Sequence, residues 1–207
     1  MSGLYSPILA QAGFAKRKAA IVVEQWVAQL DGAMQSWVLT DPIVIPASAD
    51  CSITFTLNGS LDTYEGLFRS SDNSDWFRLI PESQGNNFQG NIGGSFIGGV
   101  PYSSLKVRDG SDRKVVLRRV ENRFYIDIDG NSYTLSVASG EFSISVLGEF
   151  GGGEFFGYFK DLEVEINGVL TNQIPLTNKA QGATQLATVG NVNAFMPNYT
   201  NAVWRKP

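Results

Sequence analysis

The 207-residue chain contains no histidine. That absence removes Ser-His and Cys-His catalysis, and histidine-ligated zinc sites with them. There is one cysteine, Cys51, so no internal disulfide can form. It precedes the alternating Ile53, Phe55 and Leu57 and is expected to be a buried, inert thiol. No apolar run is long enough to span a membrane. The opening Met-Ser-Gly-Leu-Tyr-Ser-Pro lacks the basic start and apolar core of a signal peptide, which predicts synthesis in the cytoplasm. Charged residues make up 17% of the chain and the net charge is −4, so the molecule as a whole does not attract nucleic acid. Local basic runs occur at Lys16-Arg17-Lys18, Arg113-Lys114 and Arg118-Arg119, where solvated strand edges and ends are expected. There is no phosphate loop, cysteine cluster or nucleotide fingerprint.

What is present points to strands. Hydrophobic residues account for 43% of the chain and aromatics for 12%, with 22 glycines, a composition that suits one all-β domain with many tight turns. Between residues 113 and 176, short alternating runs are separated by turn dipeptides, the pattern of an antiparallel meander. Phe124, Ile126 and Ile128 alternate with Tyr125, Asp127 and Asp129. Strand side chains repeat every two residues, so the first set faces the core. Asp129-Gly130 and Asn167-Gly168 predict two-residue hairpins, because a type I′ turn needs positive φ at both central positions. Tyr133, Leu135 and Val137 form the returning row, and Phe142, Ile144 and Val146 the next inward row. Residues 148–154 are too glycine-rich for a strand and read as a flexible loop. Leu162, Val164 and Ile166 then point one way and Asp161, Glu163 and Glu165 the other.

Earlier in the chain, residues 37–45 open the domain and residues 52–57 alternate strictly. Residues 66–69 and 76–80 pair across the polar turn 70–75. Residues 84–99 are the least regular and read as a loop with one short strand, the kind of segment that often carries binding. A short strand is expected at residues 105–108. Residues 1–32 form an N-terminal arm or an added edge strand, and residues 33–207 form the main domain.

The run Gly157-Tyr-Phe-Lys-Asp-Leu-Glu-Val-Glu-Ile-Asn-Gly-Val-Leu170, following an aromatic-rich strand that ends in Asp129-Gly130, resembles the concanavalin A-like, laminin-G-like jelly roll. The resemblance covers residues 37–204. It implies an all-β, antiparallel two-sheet β-sandwich of jelly-roll type, and a fold rather than a function. The phrase Val189-Gly190-Asn191-Val192-Asn193, with Asn198-Tyr199 and Trp204 after it, resembles the closing segment of laminin-G-like domains in bacteriophage tail and other virion proteins. That implies a non-enzymatic structural protein of a virion, a decoration, fibre or tail component, placed there after synthesis in the host cytoplasm and acting by assembly. Other virion proteins are its expected partners, with no nucleic acid and no membrane. Exposed sheet edges need cover, which predicts a homo-oligomer. Leu4, Tyr5, Pro7, Ile8 and Phe14 are the expected assembly contact.

Two other chemistries compete. Asp161, Glu163 and Glu165 share one strand face, and laminarinase-type sandwich glycosidases place an acidic triad similarly. A retaining mechanism needs a nucleophile and an acid about 5 Å apart. That family's motif begins and ends with Glu and centres on Asp, whereas this order is Asp, Glu, Glu, with Leu162 and Val164 where tryptophans belong. A solvated strand shows the same row of like charges, so no residue is assigned as catalytic. The second reading is a lectin-like module for a host-surface glycan or receptor. Sugars stack on aromatic faces, and Tyr64, Trp76 and Tyr102 sit in or beside turns. Asp72, Asn73 and Asp75 could hold calcium through oxygens, although their spacing matches no defined loop. Rings packed in the core and an ordinary turn explain the same residues. The missing histidine counts against a legume-lectin type transition-metal site, and no cofactor other than calcium is expected.

Overall fold

The computed structural model describes residues 25–59, 64–81, 87–101, 109–151 and 153–207. Two short strands come first, β1 (Val27–Ala28) and β2 (Leu30–Asp31), followed by β3 (Trp37–Ile45) and β4 (Cys51–Gly59). In β4 apolar residues occupy alternate positions, so Ile53, Phe55 and Leu57 are buried while Thr54, Thr56 and Asn58 face outward. Two hairpins follow, β5 (Glu65–Arg69) with β6 (Trp76–Leu79), and β7 (Asn87–Ile92) with β8 (Ser95–Pro101). A meander of β9 (Arg113–Val120), β10 (Arg123–Ile128) and β11 (Asn131–Val137) leads to β12 (Phe142–Leu147). Then come a small pair, β13 (Glu149–Phe150) and β14 (Gly153–Glu154), and the long hairpin β15 (Phe156–Ile166) with β16 (Val169–Ile174). The last strands are β17 (Thr184–Gln185), β18 (Ala194–Phe195) and β19 (Trp204–Arg205).

Apart from the two-stranded pairs β1-β19 and β13-β14, these strands form two antiparallel sheets. One runs β11-β10-β9-β4-β15-β16, with β2 also on β15; the other runs β17-β18-β3-β12-β5-β6-β7-β8. Their facing rows make one core, with Ile53, Phe55, Leu117 and Ile126 from the first sheet against Trp37, Phe68, Phe77 and Ile144 from the second. Phe124 of β10 meets Phe142 of β12 edge-on between the sheets, with ring centroids 5.8 Å apart. Each fully buried side chain of this size stabilises the fold by about 1.5–3 kcal/mol. The architecture is the jelly-roll β-sandwich that the alternation and the resemblance imply. Asp129-Gly130 and Asn167-Gly168 have positive φ at both positions, as do Glu121-Asn122 and Gly93-Gly94. All four pairs therefore have the type I′ sign pattern that matches the twist of paired strands.

Several expectations need correction. Residues 84–99 hold two strands, β7 and β8, rather than a loop with one. Among the described residues of this stretch, Gly93-Gly94 turns the chain. Gly90 lies within β7 because a Cβ there would sit 2.7 Å from the Trp76 carbonyl oxygen and 2.8 Å from the Phe77 ring. Residues 148–154 are likewise not a plain loop, since β13 and β14 pair within them. Val137 does not continue the inward row but is exposed, because the ladder between β10 and β11 shifts between Arg123 and Tyr125. Arg119 is not solvated. It takes an inward position on β9 and is wholly buried, where its Nε donates to Ala49 O at 2.7 Å, its Nη1 to Gly140 O at 2.7 Å and its Nη2 to Pro46 O. Cys51, opposite Arg119 in the ladder, is buried as expected, and burial pushes its thiol pKa up.

Within the segment expected as an arm, Val27 and Ala28 pair with Arg205 and Trp204, and Leu30 and Asp31 pair with Gly157 and Phe156. Val27, Ala28 and Leu30 are buried. The expected assembly contact at Leu4, Tyr5, Pro7, Ile8 and Phe14 lies outside the described residues, as does the strand expected at 105–108.

Candidate functional site

Alternation along β6 sends Phe77 and Leu79 into the core and turns Trp76 and Arg78 outward. The neighbouring strands extend two rows across this outer face. Trp76 lies opposite Asn91, which lies opposite Phe96; Arg78 lies opposite Gln89, which lies opposite Gly98. Phe96 is 58% exposed although its neighbour Ile97 is fully buried, so the ring stands on the solvent side of a well-packed strand.

The β13–β14 pair folds over this face. Gly66 of β5 permits it, because a Cβ there would occupy the backbone of Glu149 and Phe150. Gly153 makes a similar close approach, with a Cβ 2.6 Å from the Tyr64 carbonyl oxygen. The result places Phe150 flat against Trp76, with centroids 4.7 Å apart and planes 15° apart. Phe96 meets Trp76 edge-on at 6.5 Å. The Arg78 guanidinium lies over Trp76 at 4.7 Å, Tyr64 at 4.9 Å and Phe150 at 5.6 Å. Burial among these rings pulls the Arg78 pKa down. Glu149, at the base of the flap, is held by Arg69 at 3.0 Å and accepts a bond from the Ser36 hydroxyl at 3.4 Å.

The turn at residues 70–75 borders the aromatic group. Asp72 Oδ1 accepts bonds from the Ser70 hydroxyl at 2.7 Å and from the Ser74 N–H and hydroxyl at 3.0 and 2.8 Å. The Ser70 bond and then the Ser74 bonds hold the Asp72 carboxyl down at about 2. Asn73 sits at φ 62°, a left-handed position that asparagine tolerates. Asp75 accepts the Gly93 N–H at 2.9 Å on one oxygen and the Ser143 N–H at 3.0 Å on the other. It thereby ties this turn to the β7–β8 turn and to β12. The three residues form a self-bonded turn rather than a set of converging ligands, and among the described residues no group of three or more acidic, cysteine or histidine side chains gathers to hold a metal ion. Asp75→Ala would orphan two backbone donors and is expected to cost about 1–3 kcal/mol in urea unfolding. An unchanged midpoint would show that water replaces the carboxylate.

Sequence reasoning therefore reaches Tyr64 and Trp76, which the structure brings together, and the turn residues Asp72, Asn73 and Asp75 beside them. Trp76 stands outside the core. Tyr102 lies outside the described residues. Arg78, Phe96 and Phe150 escape sequence reasoning. For Arg78 and Phe96 a signal exists: each lies at the outward position of a strand whose inward neighbours are apolar. Phe150 gives no such signal, since its place depends on where the flap lands.

Asp161, Glu163 and Glu165 do not form a uniform row. The ladder between β4 and β15 shifts register between Lys160 and Glu163, and Asp161 there adopts φ 58°. Burial raises the Asp161 pKa, and Glu163 is occupied by the Gln173 amide at 2.7 Å. Asp161 lines a separate cavity of about 840 Å³ with Trp26, Lys160 and Lys179. Of its basic groups, Lys160 pairs with Asp112 at 2.6 Å and Lys179 lies over the Trp26 ring at 3.4 Å. The outer face of β6, β7 and β8 is the stronger candidate because it presents the exposed Phe96 ring beside Trp76 and Phe150.

No family model matches the sequence, and no curated protein does. Solved structures share the fold. Laminin α1 domains LG4-5 from mouse align with a TM-score of 0.55 at 17% identity, over 72% of this chain and 44% of that one. A candidate carbohydrate-binding protein from Bacteroides ovatus gives 0.55 at 12% identity, over 84% of this chain and 60% of that one. A heptameric SAP-like pentraxin from Limulus polyphemus gives 0.50 at 13% identity, over 70% and 77%. The chain thus spans less than two thirds of the first two structures. At these identities the likeness establishes the jelly-roll β-sandwich fold, and function must be argued from the site.

Proposed function

We propose that this chain is a non-enzymatic carbohydrate-binding module that takes a sugar on the outer face of β6, β7 and β8. The observation that carries the reading is the aromatic group of Trp76, Phe150 and exposed Phe96 on a solvent-facing sheet, with Gln89 and Asn91 in the same rows. Exposed apolar surface beside a few placed polar groups is what a binding site requires. A sugar ring offers C–H faces to an aromatic plane and hydroxyls to flat amides. The stacked Phe150 covers Trp76, so Phe96 is the ring that meets ligand first and Trp76 is its support. Fold likeness to the candidate carbohydrate-binding protein from Bacteroides ovatus agrees with this reading.

The virion assembly expected from the sequence has the phrase at residues 189–193 as its support. None of the three similar structures named above is described as a virion protein.

A glycan array with the intact protein, followed by calorimetry on the best hit, tests the proposal. Phe96→Ala is expected to weaken binding about tenfold, equivalent to about 1.4 kcal/mol, with little change in thermal stability because the ring is exposed. Full affinity in both Phe96→Ala and Trp76→Ala, or no binding to any glycan, would overturn it.

A further inference from the structure

The aromatic patch contains a cation, Arg78, with no counter-charge among the described residues. Arg69, Arg113 and Arg118 each pair with a carboxylate, Glu149 for the first, Asp109 and Asp129 for the second and Asp127 for the third. Arg78 forms no ion pair among the described residues, and its Nε is shielded from water with no hydrogen-bond partner. Glu149, on the flap that carries Phe150, is already taken by Arg69. Three rings hold the Arg78 guanidinium in place. An arginine stacked in this way is pre-organised and weakly hydrated, and its planar fork matches a carboxylate or sulfate bidentately. Beyond Arg78 and Gln89 the row ends at Gly98, over which the Phe96 ring lies, 3.0 Å from where a Cβ would sit, so the ring that meets the sugar borders the row that carries the cation.

Resting on the carbohydrate-binding reading, we infer that this face selects an acidic glycan, with Arg78 bound to a carboxylate or sulfate of the sugar while Phe96 stacks on the ring. Net charge argues for the same selectivity being local. The molecule carries −4 overall, so an anionic chain gains nothing from the distant field and must be held by a specific cation. Arg78 then meets the charge and Gln89 and Asn91 meet hydroxyls. Asn91, the ladder partner of Trp76, also donates to Ser74 O at 2.7 Å, which fixes its amide.

The test uses three oligosaccharide probes of similar length: a galacturonate oligomer for carboxylate, a heparin-derived oligomer for sulfate, and a neutral cello-oligosaccharide. Calorimetry at about 50 mM and at about 200 mM salt is expected to show one or both acidic probes binding at least about tenfold more tightly than the neutral one, with affinity falling as salt rises. Which acidic probe binds identifies the anion. Arg78→Met keeps the apolar stem on the rings and is expected to lose the acidic preference, whereas Arg78→Lys keeps part of it. A melting curve for each variant confirms folding. Equal binding of neutral and acidic probes, or acidic binding unchanged in Arg78→Met, overturns the inference while leaving sugar binding in place. Failure of every probe and of the glycan array overturns the carbohydrate reading itself.

Discussion

Replacing Arg119 with methionine is expected to destabilise the protein by about 3–5 kcal/mol. The side chain is wholly buried, and its three nitrogens each serve a different backbone carbonyl, at Ala49, Gly140 and Pro46. Those carbonyls belong to the turn after β3 and to the turn before β12, so one guanidinium fastens two connections of the sandwich. Hydrogen bonds to a charged group contribute about 1.5–3 kcal/mol each. Their simple sum overstates the effect, because removing the cation also relieves its desolvation. Methionine roughly preserves length and apolar volume, so the loss measures the missing donors rather than a cavity. It also keeps packing near Phe124 and Phe142, whose ring centroids lie 5.8 and 5.2 Å from the guanidinium. Arg119→Lys is expected to recover less than half of the loss, since one ammonium cannot span three carbonyls arranged around a planar fork. Urea unfolding followed by circular dichroism gives the comparison. A methionine variant within about 1 kcal/mol of the parent would mean that water satisfies those carbonyls.

Gly66→Ala is expected to be the most damaging change near the candidate site. Its Cβ would enter the backbone of Glu149 and Phe150, so the β13–β14 flap has to lift from β5. Overpacking of this kind costs about 1–3 kcal/mol. Loss of the Phe150–Trp76 stack adds about 0.5–1.5 kcal/mol. The partly exposed Arg69–Glu149 pair adds less than about 1 kcal/mol. We expect a total near 2–4 kcal/mol, together with a red shift in Trp76 emission as its ring meets water. Measuring the same variant on a Trp76→Phe background separates that shift from the signals of Trp26, Trp37 and Trp204. Phe150→Ala serves as the companion: it removes the stack without the steric push and should cost only about 1 kcal/mol beyond the ring's own burial. Unchanged stability and emission in Gly66→Ala would show that the flap does not depend on the glycine.

Much of the sandwich is legible in local sequence. Strict alternation in Ile53, Phe55 and Leu57, and again in Phe124, Ile126 and Ile128, assigns the inward faces because strand geometry alone sets the period. Asp129-Gly130 and Asn167-Gly168 announce their hairpins because few residues tolerate positive φ twice in succession. The same rule fails at Glu121-Asn122, which makes the turn without glycine, and misleads at Gly90, where glycine serves close packing instead of bending the chain. Arg119 is missed for a related reason. Alternation places it inward, yet a charge in that position is credible only once three carbonyls are known to converge on it.

The candidate site divides along the same line. Tyr64 and Trp76 are visible as aromatic residues beside turns, and Trp76 and Arg78 are outward by the period of β6. Nothing local tells that Phe150 reaches Trp76, that Glu149 occupies Arg69 rather than Arg78, or that Asp75 spends both oxygens on the backbone N–H groups of Gly93 and Ser143. The sequence by itself determined which residues face inward, where the tight hairpins lie and which catalytic classes are closed to a chain without histidine, since each depends on local geometry or on composition. Only the tertiary structure decided which arginine is buried, which is neutralised and which lies uncompensated among aromatic rings, because that depends on contacts between strands far apart in the chain.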